Sequence, residues 1–343
     1  PRISGHKEGI NVLKEEKQKK GFLYNISNIE YTQFEKINLQ KVLTSDTSKY
    51  PANTNILFAD LNEIKKVVLS NPLPGLEINL KNNVFVKDAN GKVVQKKAGR
   101  LESMMQNIAD SIQDYKNEKI KKEDKKDLKT FLILNNRNKT ISTTKNAFIE
   151  GHDFFETPQK CFYDVLNNYH DLLGNFCKMQ MPPMPDIKEF LLKGPSFICK
   201  MNPMIGPLYS IICQKIKGGE FFQGSEMQLE IAEVLIENLS LKGSLIIETP
   251  LIKNSKKDIY NTSSCVLTNV KIKNSGIDAN YKNIYWQNKI KRNQFFKIIL
   301  EENSQFYAAN VEFINTQEII VPANHKMFIL RQNNKVIYKT EKL

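Results

Sequence analysis

Two amides, Asn53 and Asn55, flank Thr54 directly ahead of an apolar run, Ile56-Leu57-Phe58-Ala59, in the stretch KYPANTNILFADL. Amides are poor strand formers, so a pair at the mouth of a core element has one of two meanings. The plain one is a turn, which Pro51 and Asn53 both suit. The other is that the amides hold something polar, since each offers donors and acceptors together. An acid, Glu30, lies inside a second strand-like run between Ile29 and Tyr31. Strand alternation alone sends it to solvent, yet a carboxylate is acceptor-only and suits a pair of hydroxyls. Lys145 closes KTISTTK and by itself reads as a surface lysine. Gly9, in EGIN, reads by itself as a turn glycine.

Other kinds of chemistry find little support. The five cysteines, Cys161, Cys177, Cys199, Cys213 and Cys265, show no CxxC spacing, and the four histidines are scattered. Buried thiols in a reducing compartment are expected, rather than disulfides or zinc. The formal net charge of +13 favours anionic partners. Part of that charge stands in YKNEKIKKEDKKDLK (115–129), where acids are interspersed. Such a mixture is a solvated helix end or loop before it is a nucleic-acid site. No apolar run approaches the roughly 20 residues that span a bilayer. A soluble cytoplasmic protein with no nucleic-acid or membrane partner is the expectation, and Pro1 in place of Met suggests a chain entered in mid-fold.

These residues need elements to position them. Strands are expected over the segment GINVLKEEK and over 23–34, with a strand running into a helix over 54–70. Residues 76–99 form a hairpin reversing at Asn90-Gly91. An amphipathic helix is expected over 100–115, with Leu101, Met104, Met105, Ile108 and Ile112 on one face. TFLILNN (130–136) reads as a fully buried strand. Thr157 and Pro158 open a helix over 157–173, its inner face Phe162, Val165, Leu166 and Tyr169. Alternating strands and helices imply an α/β layered domain over 1–178. The proline-rich stretch 179–190 reads as a linker and 191–343 as a second domain. There, Asn238-Leu-Ser-Leu, Asn269-Val-Lys-Ile and Asn310-Val-Glu-Phe recur, fitting rungs of a β-helix with a β-sandwich as the alternative.

Seven stretches in this order, EGINVLKEEK, SNIEYTQFEK, YPANTNILFADL, LPGL, GRLESMMQNIAD, LNNRNKTISTTK and MNPMIGPLYSIICQKIKGG, together resemble one family. It is the UTP:glucose-1-phosphate uridylyltransferases (UDP-glucose pyrophosphorylases), of the divergent chloroplast type serving sulfolipid synthesis. The resemblance covers nearly the whole chain. It implies the C-terminal part of a Rossmann-like nucleotidyltransferase domain followed by a β-helix-like domain, without the family's glycine-rich nucleotide loop. It further implies UTP and glucose 1-phosphate as partners, Mg²⁺ as cofactor and, in a plant or alga, a stromal location. By the same likeness Glu30 and Asn55 reach the sugar ring, Asn53 and Thr54 shape their loop, and Gly9 lets backbone approach the sugar. Lys145 lies against the phosphates, with Lys139 and then Arg137 as the next candidates. Alternatives are a pyrophosphorylase for galactose or N-acetylglucosamine 1-phosphate, and a non-catalytic basic β-repeat binding module.

Overall fold

The protein is known from a computed structural model, which describes residues 8–34, 50–72, 75–103, 105–152, 154–250, 262–278 and 289–343. Leu73 and Pro74 of LPGL, and Met104 of the expected helix, lie outside them. The chain is mixed α/β and divides into two compact units, Pro1–Ile141 and Ser142–Leu343. The proline-rich stretch 179–190 runs within the second.

In chain order the first unit contains β1 (Ile10–Lys17), β2 (Phe22–Ile29), α1 (Leu61–Ser70), β3 (Leu76–Lys87), β4 (Val93–Ser103), β5 (Asp114–Lys116) and a single helical turn, α2 (Arg137–Thr140). β1 and β2 pair antiparallel from Ile10 opposite Ile29 to Lys17 opposite Phe22, and β5 adds to the free edge of β2. α1 starts where Asp60 accepts the N–H groups of Asn62 and Glu63 at 2.8 and 3.4 Å. The expected hairpin is present: Asp88 N–H donates to the Lys92 carbonyl at 2.9 Å, and Gly91 takes φ +76°. That left-handed conformation is what the Asn-Gly pair supplies.

Three expectations fail in this unit. No helix covers 100–115. Arg100–Ser103 instead extend β4 opposite Leu76–Asn79, and Met105–Ser111 form a 3₁₀ turn. A ladder partner already in register outcompetes a helix that must pay for its own nucleus. The apolar runs 56–59 and 130–136 are not strands either, and Phe58 is 90% and Leu134 74% exposed. A continuously apolar strand is stable when both faces are covered, and these two segments pair with no strand among the described residues.

The second unit opens with α3 (Pro158–Asp171), capped as the sequence implies by Thr157, whose hydroxyl accepts Lys160 N–H at 3.2 Å. Leu166 is buried and Phe162 and Tyr169 pack beside it, whereas Val165 is 44% exposed and does not belong to the inner face. α4 (Ile187–Lys193), β6 (Ile198–Met201), α5 (Tyr209–Lys215) and β7 (Ile216–Phe221) follow. The remaining strands are β8 (Glu226–Glu230), β9 (Glu233–Lys242), β10 (Ser244–Glu248), β11 (Ser264–Thr268), β12 (Lys271–Lys273), β13 (Phe296–Leu300), β14 (Gln305–Ala309), β15 (Glu312–Ile314), β16 (Gln317–Val321), β17 (His325–Gln332) and β18 (Lys335–Lys342).

Two sheets result. One runs β16-β13-β10-β8-β6, all parallel; the other runs β15-β12-β9-β11-β14-β17-β18, parallel except for the last pair. Each short strand therefore stacks in register on a parallel neighbour. Stacked columns such as Leu229, Ile247 and Ile298 are fully buried. The expected Asn repeat is structural. Asn238, Asn269 and Asn310 all take φ between 50° and 57°, and their amides form a ladder, 238 to 269 at 2.9 Å and 269 to 310 at 3.0 Å. Asparagine tolerates the left-handed corner and hydrogen-bonds its neighbours there.

Candidate functional site

The first unit encloses a hollow of about 920 Å³. Asn11 and Asn28, opposite one another on β1 and β2, form one wall with Ile26. The loop residues Asn53 and Thr54, Gln106 of the 3₁₀ turn, Thr130 and Arg137 form others, and Ile56, Phe58, Phe131 and Leu134 make an apolar lining.

The amide loop is pinned from behind. Asn53 N–H donates to the Gly9 carbonyl at 2.9 Å, and Asn11 N–H to the Pro51 carbonyl at 3.2 Å. Within the loop Asn53 Oδ1 accepts Asn55 N–H at 3.1 Å, and Asn53 Nδ2 donates to Asn55 Oδ1 at 2.7 Å. Asn55 has φ +57°, a conformation open to asparagine and strained for most residues. Of the two readings of the amides the loop shows the turn, and Asn53 with Thr54 lines the hollow. Asn55 stands one hydrogen bond behind that wall.

Glu30 is placed similarly. Its Oε1 accepts Asn28 Nδ2 at 2.6 Å and Gln106 Nε2 at 3.2 Å, from two residues that line the hollow. Its second oxygen accepts no hydrogen bond among the described residues. Gly9 is buried behind it, where an added Cβ would lie 2.7 Å from Asn28 Oδ1 and 3.0 Å from the Ile29 carbonyl. Close packing of two chain segments requires this glycine. The hollow also holds polar atoms in need of partners: Asn28 Oδ1 and Thr130 Oγ1 are buried and take no hydrogen bond among the described residues. Such atoms are costly to leave unpaired.

The three basic candidates have different surroundings. Lys145 belongs to the second unit, with Nζ 3.1 Å from the Glu156 carboxylate and its N–H on the Glu156 carbonyl at 2.7 Å. Lys139 is exposed. Arg137 lines the hollow, and its guanidinium makes a two-pronged pair with the carboxylate of Glu8, Nη1 to Oε2 at 2.8 Å. Sequence reasoning missed Asn28, Gln106 and Glu8. Asn28 was open to discovery, because strand alternation puts Ile26, Asn28 and Glu30 on one face; Gln106 was hidden by the mistaken helix.

No set of three or more His, Cys, Asp or Glu side chains converges among the described residues. The two carboxylates on the hollow's wall are engaged, Asp60 in capping α1 and Glu63 with Lys66 at 2.6 Å. These residues do not fit a bound magnesium ion. No helix among the described residues is long and apolar enough to cross a membrane. The five cysteines are free thiols, three of them buried.

Residues 216–343 match the family of UGP3-like C-terminal hexapeptide repeats, in agreement with the stacked strands of that region. The chain is 34% identical over 351 aligned residues to UTP–glucose-1-phosphate uridylyltransferase 3, chloroplastic, of Arabidopsis thaliana. The match takes in 97% of this chain, which spans about 40% of the length of that relative. No solved structure matches. Along nearly its whole length, then, the chain is similar to a chloroplast uridylyltransferase, the resemblance that its sequence motifs already carry.

Proposed function

We propose that this chain contributes the hexose-phosphate side of a uridylyltransferase that makes UDP-glucose and pyrophosphate from UTP and glucose 1-phosphate. The observation that carries the reading is the arrangement of Glu30, Asn28, Gln106, Asn53 and Thr54 about one hollow, in a chain so similar to such an enzyme. The first unit is, on this reading, the sugar-binding part of a Rossmann-like domain, and the second a β-helix. A plastid location follows from the same likeness.

A phosphate oxygen of the sugar phosphate displaces pyrophosphate at the α-phosphorus of UTP. That oxygen is already anionic near neutral pH, so no general base is needed, and positioning and electrostatics dominate. Glu30 serves here as a fixed acceptor. With one oxygen held by two amides, the other meets a sugar hydroxyl. Asn53 and Thr54 supply further hydroxyl contacts, and Asn55 locks the loop that presents them. Lys145, by resemblance the cation of the phosphates, would first have to leave Glu156. Magnesium, which this class of reaction uses, has no ligand set among the described residues, and no step runs through them by way of it.

The test is Glu30→Gln in the full protein. It should raise the KM for glucose 1-phosphate about tenfold, roughly 1.4 kcal/mol, with a smaller change in kcat. Sugar-phosphate affinity unchanged by calorimetry would remove Glu30 from the site.

A further inference from the structure

The β3–β4 hairpin pairs with no further strand among the described residues, and a two-stranded ribbon alone is marginally stable in water. Side chains alternate along each strand, and residues opposite one another share a face. On β4 this puts Val93, Lys97, Gly99 and Leu101 on one side, and the register sets Lys87 opposite Val93, Phe85 opposite Gln95 and Ile78 opposite Leu101. Leu80 belongs to the same side across the bulge, since a Cβ on Gly99 would lie 3.4 Å from atoms of both Ile78 and Leu80. Leu76, Ile78, Leu80, Phe85, Val93 and Leu101 thus share one face, and each is more than half exposed. Single exposed apolar residues are ordinary, but six on one face form a patch of the kind that marks an interaction site.

Charge selects the occupant. Residues 76–103 include six basic residues, Lys81, Lys87, Lys92, Lys96, Lys97 and Arg100, and three acids. Two of the acids are engaged: Asp88 accepts the N–H groups of Asn90 and Lys92 at 2.9 and 3.0 Å, and Glu102 pairs with Arg100 at 2.6 Å. The charged residues that the register places on the apolar face are Lys87 and Lys97. A second copy of this face would bring lysines toward lysines. A lipid surface fits poorly too, because the free end of the ribbon is polar, Asp88-Ala89-Asn90-Gly91-Lys92. An acidic polypeptide meets both requirements. This chain, at +13, is a poor source of one, and its acid-rich run, Glu226, Glu230, Glu233 and Glu237, is built into β8 and β9. A face two strands wide, about 10 Å with its side chains, matches the diameter of a single helix.

We propose that the apolar face of the β3–β4 hairpin docks an acidic amphipathic helix of another protein, whose carboxylates meet Lys87 and Lys97. The proposal is independent of the sugar-phosphate reading, since residues 76–103 do not line the hollow. The probe is a fluorescent helical peptide of about 18 residues, five turns, with leucines along one face and glutamates on the other. It is titrated against the whole 343-residue protein by anisotropy, beside a version with lysine for glutamate. The glutamate peptide should bind saturably, at least tenfold tighter than the lysine peptide, and more weakly as salt is added. Ile78→Glu and Leu101→Glu, both at exposed positions, should each weaken it tenfold or more, and Lys97→Glu somewhat less. Val84→Glu, on the opposite face, should leave it unchanged. Hydrogen exchange over 76–103 should slow when the peptide is bound, and unchanged exchange overturns the proposal even where a variant misfolds. Equal affinity for the two peptides, or indifference to Ile78→Glu and Leu101→Glu, also overturns it. So does a dimer in sedimentation that those two variants dissociate, or flotation with phosphatidylglycerol vesicles that they abolish: the face would then belong to a second copy or to lipid.

Discussion

The two units of this chain are built on opposite plans. In the second, short parallel strands return in register and bury stacked columns of Leu, Ile and Phe to 0% exposure. In the first, strands β1 and β2, helix α1 and irregular segments line a hollow, and Phe58, Leu61, Phe131 and Leu134 are each more than half exposed. Repetition yields a core that each turn can build on its neighbour alone. The irregular unit leaves polar and apolar groups facing a space, which is what a ligand site requires. The regular core and the hollow are thus segregated along the sequence.

The sharpest way to break this contrast is a pair of phenylalanine deletions. Phe296 stacks on Phe313 with ring centroids 4.3 Å apart, and is wholly buried. Phe296→Ala should cost about 3–5 kcal/mol in denaturant unfolding, whereas Phe58→Ala should stay within about 0.5 kcal/mol. Comparable losses at the two sites would dissolve the distinction. A smaller effect is expected at the amide ladder. Asn269→Ala loses two side-chain hydrogen bonds and leaves at φ +50° a residue without asparagine's polar side chain to offset the left-handed strain, for about 1–2 kcal/mol. Asn269→Gly keeps the corner comfortable and loses only the ladder. If both variants melt alike, the ladder rather than the corner matters.

The subtlest probe is thiol chemistry. Burial pushes the Cys177 thiol up from 9.0 to about 12 and raises Cys199 and Cys265 as well. At pH 8, therefore, a native thiol titration should find fast reaction at Cys161 and Cys213 only, and all five in denaturant. The sign of the linkage follows from the raised values. These buried thiols favour the folded state fully below about pH 9, and that contribution is lost as pH rises toward 12. Unfolding of the second unit should become easier over that window. Equal reactivity of all five thiols in the native state would mean that the second unit opens readily.

The same contrast governs what could be read from sequence. Helix α3 announces itself by Thr157 and Pro158, the β3–β4 hairpin by Asn90-Gly91, and the second unit by Asn238, Asn269 and Asn310, because each is a local device that works without distant help. Residues 56–59 and 130–136 carry the composition of buried strands, but composition does not supply the neighbour to pair with. Leu101 sits on a helical pattern and nonetheless faces Ile78 across a ladder, since the competing strand lay twenty residues upstream. At the site, Glu30 and the amide loop were legible as residue types. The link between them was not: Gly9 touching Asn28, and Glu8 reaching Arg137 across 129 positions, depend on how the chain comes back on itself.

One feature of the second unit reaches beyond its own stability. The strands there pair parallel and in register, a geometry with no inherent length limit. β18 turns back antiparallel on β17 and carries the charged residues Lys335, Lys339, Glu341 and Lys342. Charged edge residues of this kind discourage a stray strand from adding on. The final hairpin therefore covers the edge of β17 with a strand of opposite direction and mixed charge, a surface that discourages edge-to-edge pairing.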